Sequence, residues 1–206
     1  RPLQELQQAL SDDLASLPDF DSSPTWGLTR GRMNRPQVKR FLARLTHELE
    51  QESGQPGRYV EYITASGRQA YEVEHIWAEQ SWAEDREGFR TWYPQEENFR
   101  EARNRIGALL LIPKSVNASY SARSYAQKRT QYVTQNALAQ TFCDQAYQNN
   151  PAFIAFLQRS GLPFQSEPEF APDALERRNQ LYTRFAQRIW SVDRLSTDGI
   201  NDHRNS

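Results

Sequence analysis

The stretch Tyr-Glu-Val-Glu-His-Ile-Trp at residues 71–77 is rich in strand formers and carries a histidine directly after an acid. A second apolar run, Ile-Gly-Ala-Leu-Leu-Leu-Ile at residues 106–112, predicts a buried strand that Pro113 closes. The polar and aromatic residues 78–98 between them predict an irregular loop with some helix. We therefore expect a strand, a long loop and a second strand in the middle of the chain.

Helices are predicted before this β element. Leucines at helical spacing indicate a short amphipathic helix over residues 3–16. A second helix is predicted over residues 34–51, with Asn34 as its N-cap and Pro36 in its first turn. Residues 58–64 are rich in β-branched and aromatic residues and predict an additional strand.

Helices are also predicted after the β element. Beyond Asn117 the apolar spacing is helical, with a break at Asn150-Pro151 and a proline-containing loop over residues 161–172. A last amphipathic helix is predicted over residues 173–194. The expected fold class is mostly α with a small β insert.

The composition fits a globular domain that does not enter a membrane. The 206 residues are 37% hydrophobic and 25% charged, enough apolar material for a core. We see no apolar run near the roughly 18 residues that span a bilayer. The only cysteine, Cys143, excludes an internal disulfide and fits a reducing cytoplasm, where we expect the protein to act. Its apolar neighbours predict a buried structural thiol.

The charges are segregated, although the net charge is only −1. Residues 26–47 contain six basic and no acidic residues, whereas residues 48–99 contain twelve acids and four bases. Residues 100–129 contain seven bases and one acid. Two basic stretches around an acidic one can form a cationic face for nucleic acid, but the same pattern is typical of ordinary solvated helices. Charge alone does not choose between them.

Polar residues follow the histidine in a characteristic order. After Glu-His-Ile at residues 74–76 come Asn-Arg-Ile-Gly-Ala-Leu at residues 104–109, then Asn117, then Tyr-Ala-Gln-Lys at residues 125–128. This order resembles the HNH nuclease domain at the C-terminus of GmrSD-type modification-dependent restriction enzymes. A similar domain occurs in a phosphorothioate-sensing antiphage protein. The resemblance covers most of residues 25–194.

The resemblance implies a ββα-metal (HNH) nuclease core embedded among helices. It also implies that the N-terminal sensor and NTPase domain of the same protein is a partner. No phosphate-cradling glycine loop occurs in this sequence, so NTP use is not assigned to it. The implied domain boundaries are residues 1–24 for an N-terminal helix and linker from a longer protein, 25–194 for the nuclease domain and 195–206 for a flexible tail. Within the nuclease domain, the ββα core covers about residues 58–130, and the flanking helices cover 34–51 and 134–194.

The same resemblance implies a role for each site residue. By position, His75 is the general base and Glu74 is a metal ligand at the end of the first strand. Asn104 positions the long loop and the histidine, and Asn117 is the second metal ligand. Lys128 either contacts phosphate or braces the helix. Neither His47 nor His203, the other histidines, has chemically useful neighbours.

These residue types suit hydrolysis of a phosphodiester. An imidazole with a pKa near ~6.5 can accept a proton from water at neutral pH. One Mg²⁺ or Mn²⁺ ion prefers oxygen ligands and stabilises charge on the phosphate and on the departing 3′ oxygen. Residues 104–128 contain no Asp or Glu, so one ion is expected rather than two.

DNA is the expected substrate, and the basic stretch over residues 100–129 is the expected contact. Two departures from the family pattern, Ala78 in place of Pro and Ala108 in place of Asn, remove neither the base nor a ligand. The alternatives are a decayed HNH domain that only binds DNA or regulates, and a helical protein-interaction domain. The predicted DNA-binding residues are Arg100, Arg103, Arg105, Lys114, Arg123, Lys128 and Arg129.

Overall fold

The structure is a computed structural model that describes residues 33–120 and 123–191. The helix predicted over residues 3–16, the linker before residue 25 and the tail from residue 195 lie outside the described residues. The chain divides into two compact units, and the larger one, Gly27–Tyr182, contains every predicted site residue.

The described chain is mostly α-helical with a two-stranded antiparallel sheet, as predicted. In this part of the chain no helix has the length and apolarity needed to cross a bilayer. The elements, in chain order, are α1 Arg35–Glu52, α2 Tyr59–Thr64, β1 Tyr71–His75, α3 Phe89–Trp92, α4 Glu96–Arg103, β2 Leu109–Pro113, α5 Lys114–Tyr120, α6 Tyr125–Tyr132, α7 Ala137–Gln140, α8 Pro151–Ser160 and α9 Pro172–Ile189.

Helix α1 begins where the sequence predicts it. The Asn34 side chain accepts the main-chain N–H of Gln37 at 3.0 Å, and the Gln37 side chain accepts the main-chain N–H of Asn34 at 2.9 Å. This reciprocal cap satisfies two donors that a helix start leaves open. The predicted apolar face is buried and packs on both strands. Its members are Val38, Phe41, Leu42, Leu45 and Leu49.

Strands β1 and β2 pair in antiparallel register, with Tyr71 opposite Pro113 and His75 opposite Leu109. The pairing continues one residue further, since the N–H of Ile76 donates to the carbonyl oxygen of Ala108 over 2.9 Å. Residues 109–112 are fully buried. Helices α1 and α5 each pack on both strands. This packing fixes the end of β1, where the candidate histidine lies.

The predicted strand over residues 58–64 is wrong, because most of this segment forms helix α2. The buried Glu50 carboxylate accepts hydrogen bonds from Arg58, at 2.7 Å, and from the Tyr62 hydroxyl. Residues four apart share one face of a helix, so a helical turn lets both donors reach one carboxylate. This tertiary contact overrides the strand preference of the local residues.

The loop after β1 is anchored by Trp77. Its indole N–H donates to the carbonyl oxygen of Phe170 over 2.8 Å, and the residue is 1% exposed. Its ring lies 5.2 Å from the Phe89 ring and 6.1 Å from the Phe99 ring, measured between centroids. Since Phe89 belongs to α3 and Phe99 to α4, one indole holds both loop helices against the core.

A buried arginine attaches α9 to the preceding segment. Arg178 donates to the hydroxyl and the carbonyl oxygen of Thr141, both at 2.8 Å, and to the carbonyl oxygen of Gln165 at 2.7 Å. Its guanidinium carbon lies 3.9 Å from the centroid of the Phe142 ring, within the range of a cation–π contact. The next residue, Asn179, accepts the N–H of Gly107 over 2.8 Å. Helix α9 therefore fixes the turn that leads into β2.

Gly107→Ala should lower the free energy of unfolding by about 1–3 kcal/mol, the usual range for overpacking a core. A Cβ there would lie 2.6 Å from the main-chain nitrogen of Asn179 and 2.8 Å from its Oδ1. Urea denaturation measures the loss. Asn179→Ala, which removes the hydrogen bond without the clash, should cost about 1 kcal/mol. Equal losses in the two variants would contradict the steric explanation.

Cys143 should be unreactive in the folded protein. The residue is 3% exposed, its thiol donates to the carbonyl oxygen of Arg129 over 3.4 Å, and burial raises its pKa. We expect a thiol reagent such as DTNB to react on the order of 10²-fold or more slowly than with the urea-unfolded chain, because reaction must await local opening. Comparable rates in the two states would show that the thiol is accessible.

Candidate active site

The structure brings together His75, the last residue of β1, and Asn104, the residue that ends α4. The two are 29 residues apart in sequence, and His75 Nε2 lies 2.9 Å from Asn104 Oδ1. Both residues are half-buried, so the imidazole is not sealed in the apolar interior. The sequence assigned both residues to one site, and they are in direct contact.

The orientation of the Asn104 amide determines which ring nitrogen carries the proton. Asn104 Nδ2 donates to the carbonyl oxygen of Arg100 over 2.8 Å, which leaves the amide oxygen facing His75. An amide oxygen can only accept, so His75 Nε2 donates. In the neutral imidazole the lone pair then lies on Nδ1. Nδ1 is the atom that can take up a proton.

Two buried cations hold the main chain that follows β1. Lys128 Nζ donates to the carbonyl oxygens of His75 at 2.7 Å and Ile76 at 3.2 Å. Arg103 Nε donates to the next carbonyl oxygen, that of Trp77, over 3.2 Å. Lys128 is 1% exposed and Arg103 is 9% exposed. Three consecutive carbonyls beginning at the candidate base are therefore fixed by side chains from α6 and α4.

The same lysine pairs with a predicted metal ligand. Lys128 Nζ lies 2.5 Å from Glu74 Oε1, and both side chains are buried. Burial raises the pKa of Glu74, whereas Lys128 and Arg103 oppose that rise. Burial lowers the pKa of Lys128, and Glu74 opposes that fall. Because breaking a buried pair by removing one partner costs about 3–5 kcal/mol, each charge depends on the other.

Asn117, the other predicted metal ligand, is oriented by a carboxylate. Asn117 Nδ2 donates to Glu72 Oε2 over 3.1 Å, and Lys114 Nζ lies 3.7 Å from Glu72 Oε1. Glu72 and Glu74 lie two residues apart on β1 and so share one face of the strand. The bond to Glu72 uses the amide nitrogen of Asn117, which leaves the amide oxygen as the end able to bind a cation.

The donors on this face of β1 fit a hard cation, since they are carboxylate and amide oxygens. Within residues 33–120 and 123–191, no group of three or more His, Cys, Asp or Glu side chains is arranged to hold a metal. An ion at this face would therefore have few protein ligands and keep several waters, as Mg²⁺ usually does. If Glu74 bound it, the ion would share that carboxylate with Lys128.

Two of the predicted DNA contacts do not lie at the surface. Arg103 and Lys128 are buried, and each donates to main-chain carbonyl oxygens beside β1. A cation that is enclosed in the core and already bonded offers no charge to a phosphate at the surface. Of the two roles that the sequence left open for Lys128, the structure supports bracing, and the braced element is the end of β1.

The remaining predicted DNA contacts lie at or near the surface. Some of them pair with acids: Arg105 with Glu176 at 2.7 Å and Arg129 with Asp144 at 2.9 Å. Ion pairs at the surface contribute only about 0–1 kcal/mol, so Arg105 can exchange its partner for phosphate at little cost. Arg129 is held more firmly, since it also donates to the carbonyl oxygen of Phe142 over 2.9 Å. The five residues are Arg100, Arg105, Lys114, Arg123 and Arg129.

The sequence did not single out Glu72, which orients Asn117. Alternation along a strand is the signal that could have found it, since it places Glu72 on the same face as Glu74. No comparable signal in the sequence marks the hydrogen bond from Arg103 to the carbonyl oxygen of Trp77.

Ala108, which departs from the family pattern, leaves the strand pairing intact, because its carbonyl oxygen still accepts the N–H of Ile76.

Comparison with known proteins identifies the family. No curated protein and no solved structure matches the chain. A family model described as "GmrSD restriction endonucleases, C-terminal domain" matches residues 25–185. The match spans most of the chain, including both strands, the loop between them and every predicted site residue. The chain therefore belongs to the family of C-terminal domains of GmrSD restriction endonucleases.

Proposed function

We propose that this chain is a metal-dependent DNA endonuclease domain of the HNH type. It would be the effector of a modification-dependent restriction or antiphage protein, and other domains of that protein would sense the modification. The observation that supports this most strongly is the 2.9 Å contact between His75 and Asn104, which presents an oriented imidazole at the end of β1. The order β1, β2, α5 is that expected of a ββα nuclease core.

His75 acts as the general base in this proposal. Its Nδ1 takes a proton from water while the water oxygen attacks the phosphorus of the scissile phosphodiester. The bond from phosphorus to the 3′ oxygen breaks, and the 3′ oxygen leaves with the electron pair and is protonated by solvent. Asn104 holds the ring in the tautomer that this step requires. A positioned base of this kind contributes about 10²–10⁴-fold to the rate.

Glu74 and the amide oxygen of Asn117 would hold one Mg²⁺ or Mn²⁺ ion. When bound, the ion stabilises negative charge on the phosphate and on the departing oxygen. Glu72 orients the Asn117 amide through the 3.1 Å bond, the role that outer partners of metal ligands usually have.

The exposed cations around the site would contact the DNA backbone. Arg100 lies one turn before Asn104, and Lys114 begins the helix that carries Asn117. Contacts of this kind supply sequence-independent affinity that falls steeply with salt concentration. They are consistent with a nuclease whose target choice is made by another domain.

His75→Ala should lower the rate of DNA cleavage about 10²–10⁴-fold, because the water loses its base. Asn104→Ala should lower it by a smaller factor of about 10–100, since it removes only the partner that orients the ring. Conversion of supercoiled plasmid to open circles or linear DNA, with Mg²⁺ or Mn²⁺ present, measures both rates.

His47→Gln is the control for that experiment. His47 accepts the N–H of Tyr59 over 3.2 Å and has no place in the site, so its replacement should leave the rate unchanged. If wild type and His75→Ala are equally inactive but both retard DNA in a gel, the chain is a DNA-binding module and the proposed enzyme activity is wrong.

Removal of divalent ions by EDTA should abolish cleavage, and an excess of Mg²⁺ or Mn²⁺ should restore it. Glu72→Ala should weaken metal affinity about 10–100-fold, because it removes the acceptor that orients the Asn117 amide. Titration with Mn²⁺ followed by its EPR signal measures this affinity. An undiminished rate in EDTA would exclude a dissociable ion from the reaction.

A further inference from the structure

Lys128 combines features that are unusual for a lysine. Its ammonium lies 2.5 Å from Glu74 Oε1, 2.7 Å from the carbonyl oxygen of His75 and 3.2 Å from that of Ile76. The residue is 1% exposed. The two carbonyl contacts are hydrogen bonds, and the contact with Glu74 is an ion pair. All three contacts are made to residues at the end of β1 or directly after it.

Helix α6 holds Lys128 independently of these contacts. Ser124 and Gln127 form a reciprocal cap at its start, with main-chain to side-chain distances of 3.0 and 3.4 Å. The Glu87 carboxylate, from the loop between the strands, accepts the N–H of Tyr125 over 3.2 Å. Lys128 therefore extends from the fixed helix α6 to the end of β1, which is distant in sequence.

We propose that Lys128 is a positioning residue for His75, because its buried ammonium bridges the Glu74 carboxylate and the carbonyls of His75 and Ile76. The Glu74 side chain before His75 and the main-chain carbonyls of His75 and Ile76 are then tied to α6. Main-chain position sets where an imidazole can point, and Asn104 fixes its final orientation. This role rests on the proposed function of His75 as a base, but the placement itself can be measured without catalysis.

A positioning role differs measurably from a phosphate contact. Loss of a phosphate contact weakens DNA binding, so KM rises and the salt dependence becomes shallower. Loss of positioning lowers kcat with little change in KM, because the interaction that is lost acts on the reacting group. It also changes the environment of the His75 ring when no DNA is present.

The test compares Lys128→Met with Lys128→Arg and Arg159→Met. Methionine keeps much of the length and removes the charge, and arginine keeps the charge with a planar donor group. Arg159, a cation of α8 that pairs with Glu52 and has no place in the site, serves as the control. Circular dichroism establishes folding, and NMR of ¹⁵N-labelled protein without metal or DNA reports the His75 ring nitrogens. Plasmid cleavage gives kcat and KM.

We expect Lys128→Met to shift the His75 ring signals and to lower kcat about 10–100-fold at nearly unchanged KM. Lys128→Arg should show smaller changes of the same kind, and Arg159→Met should match wild type in both measurements. If Lys128→Met does not fold, Lys128→Arg is the deciding variant, and shifted ring signals in it support the proposal.

Wild-type ring signals in a folded Lys128 variant would overturn the proposal. So would a raised KM at unchanged kcat, which would assign Lys128 to the substrate. If the wild-type protein does not cleave DNA at all, the proposed function fails, yet the ring signals still decide whether Lys128 places His75.

Discussion

A buried ammonium that binds two carbonyl oxygens and pairs with a carboxylate at the end of one strand is the constraint on which the site depends. Lys128 brings a positive charge to Glu74, and with Arg103 it satisfies three consecutive carbonyls where the strand pairing ends. Buried carbonyls without partners are costly, so the chain could not leave the sheet in this direction without these donors. The strand end, the half-buried imidazole and the start of the long loop therefore form one unit.

The sequence predicted the elements that local pattern controls. Apolar spacing and a capping asparagine located α1, and continuous apolar residues located β2, because burial and capping leave their mark on neighbouring residues. The pairing of His75 with Asn104 came from a family resemblance rather than from periodicity. The family match and the 2.9 Å contact agree with that assignment.

What the sequence could not predict depends on contacts between distant residues. Arg58 and Tyr62 lie in a segment whose residue types favour a strand. The buried Glu50, which accepts hydrogen bonds from both side chains, makes a helical turn favourable there. Lys128 and Arg103 read as surface cations because nothing in their neighbours indicates burial. Strand alternation places Glu72 on the face of Glu74, but its bond to Asn117 required knowledge of which helix packs on β1. In each case the deciding partner lies at least eight residues away.

The segment between Trp77 and α4 joins two positions that are each held by contacts of their own. His75 is held by strand pairing and by α6, and Asn104 is held at the end of α4, whose Phe99 packs on Trp77. Extra residues between Trp77 and α4 would add little to the entropy of closing the loop, since that entropy grows only logarithmically with length. Insertions, deletions or substitutions in this segment can therefore leave the contact between His75 and Asn104 unchanged. The fold separates a fixed candidate site from a neighbouring loop that can vary in length and sequence.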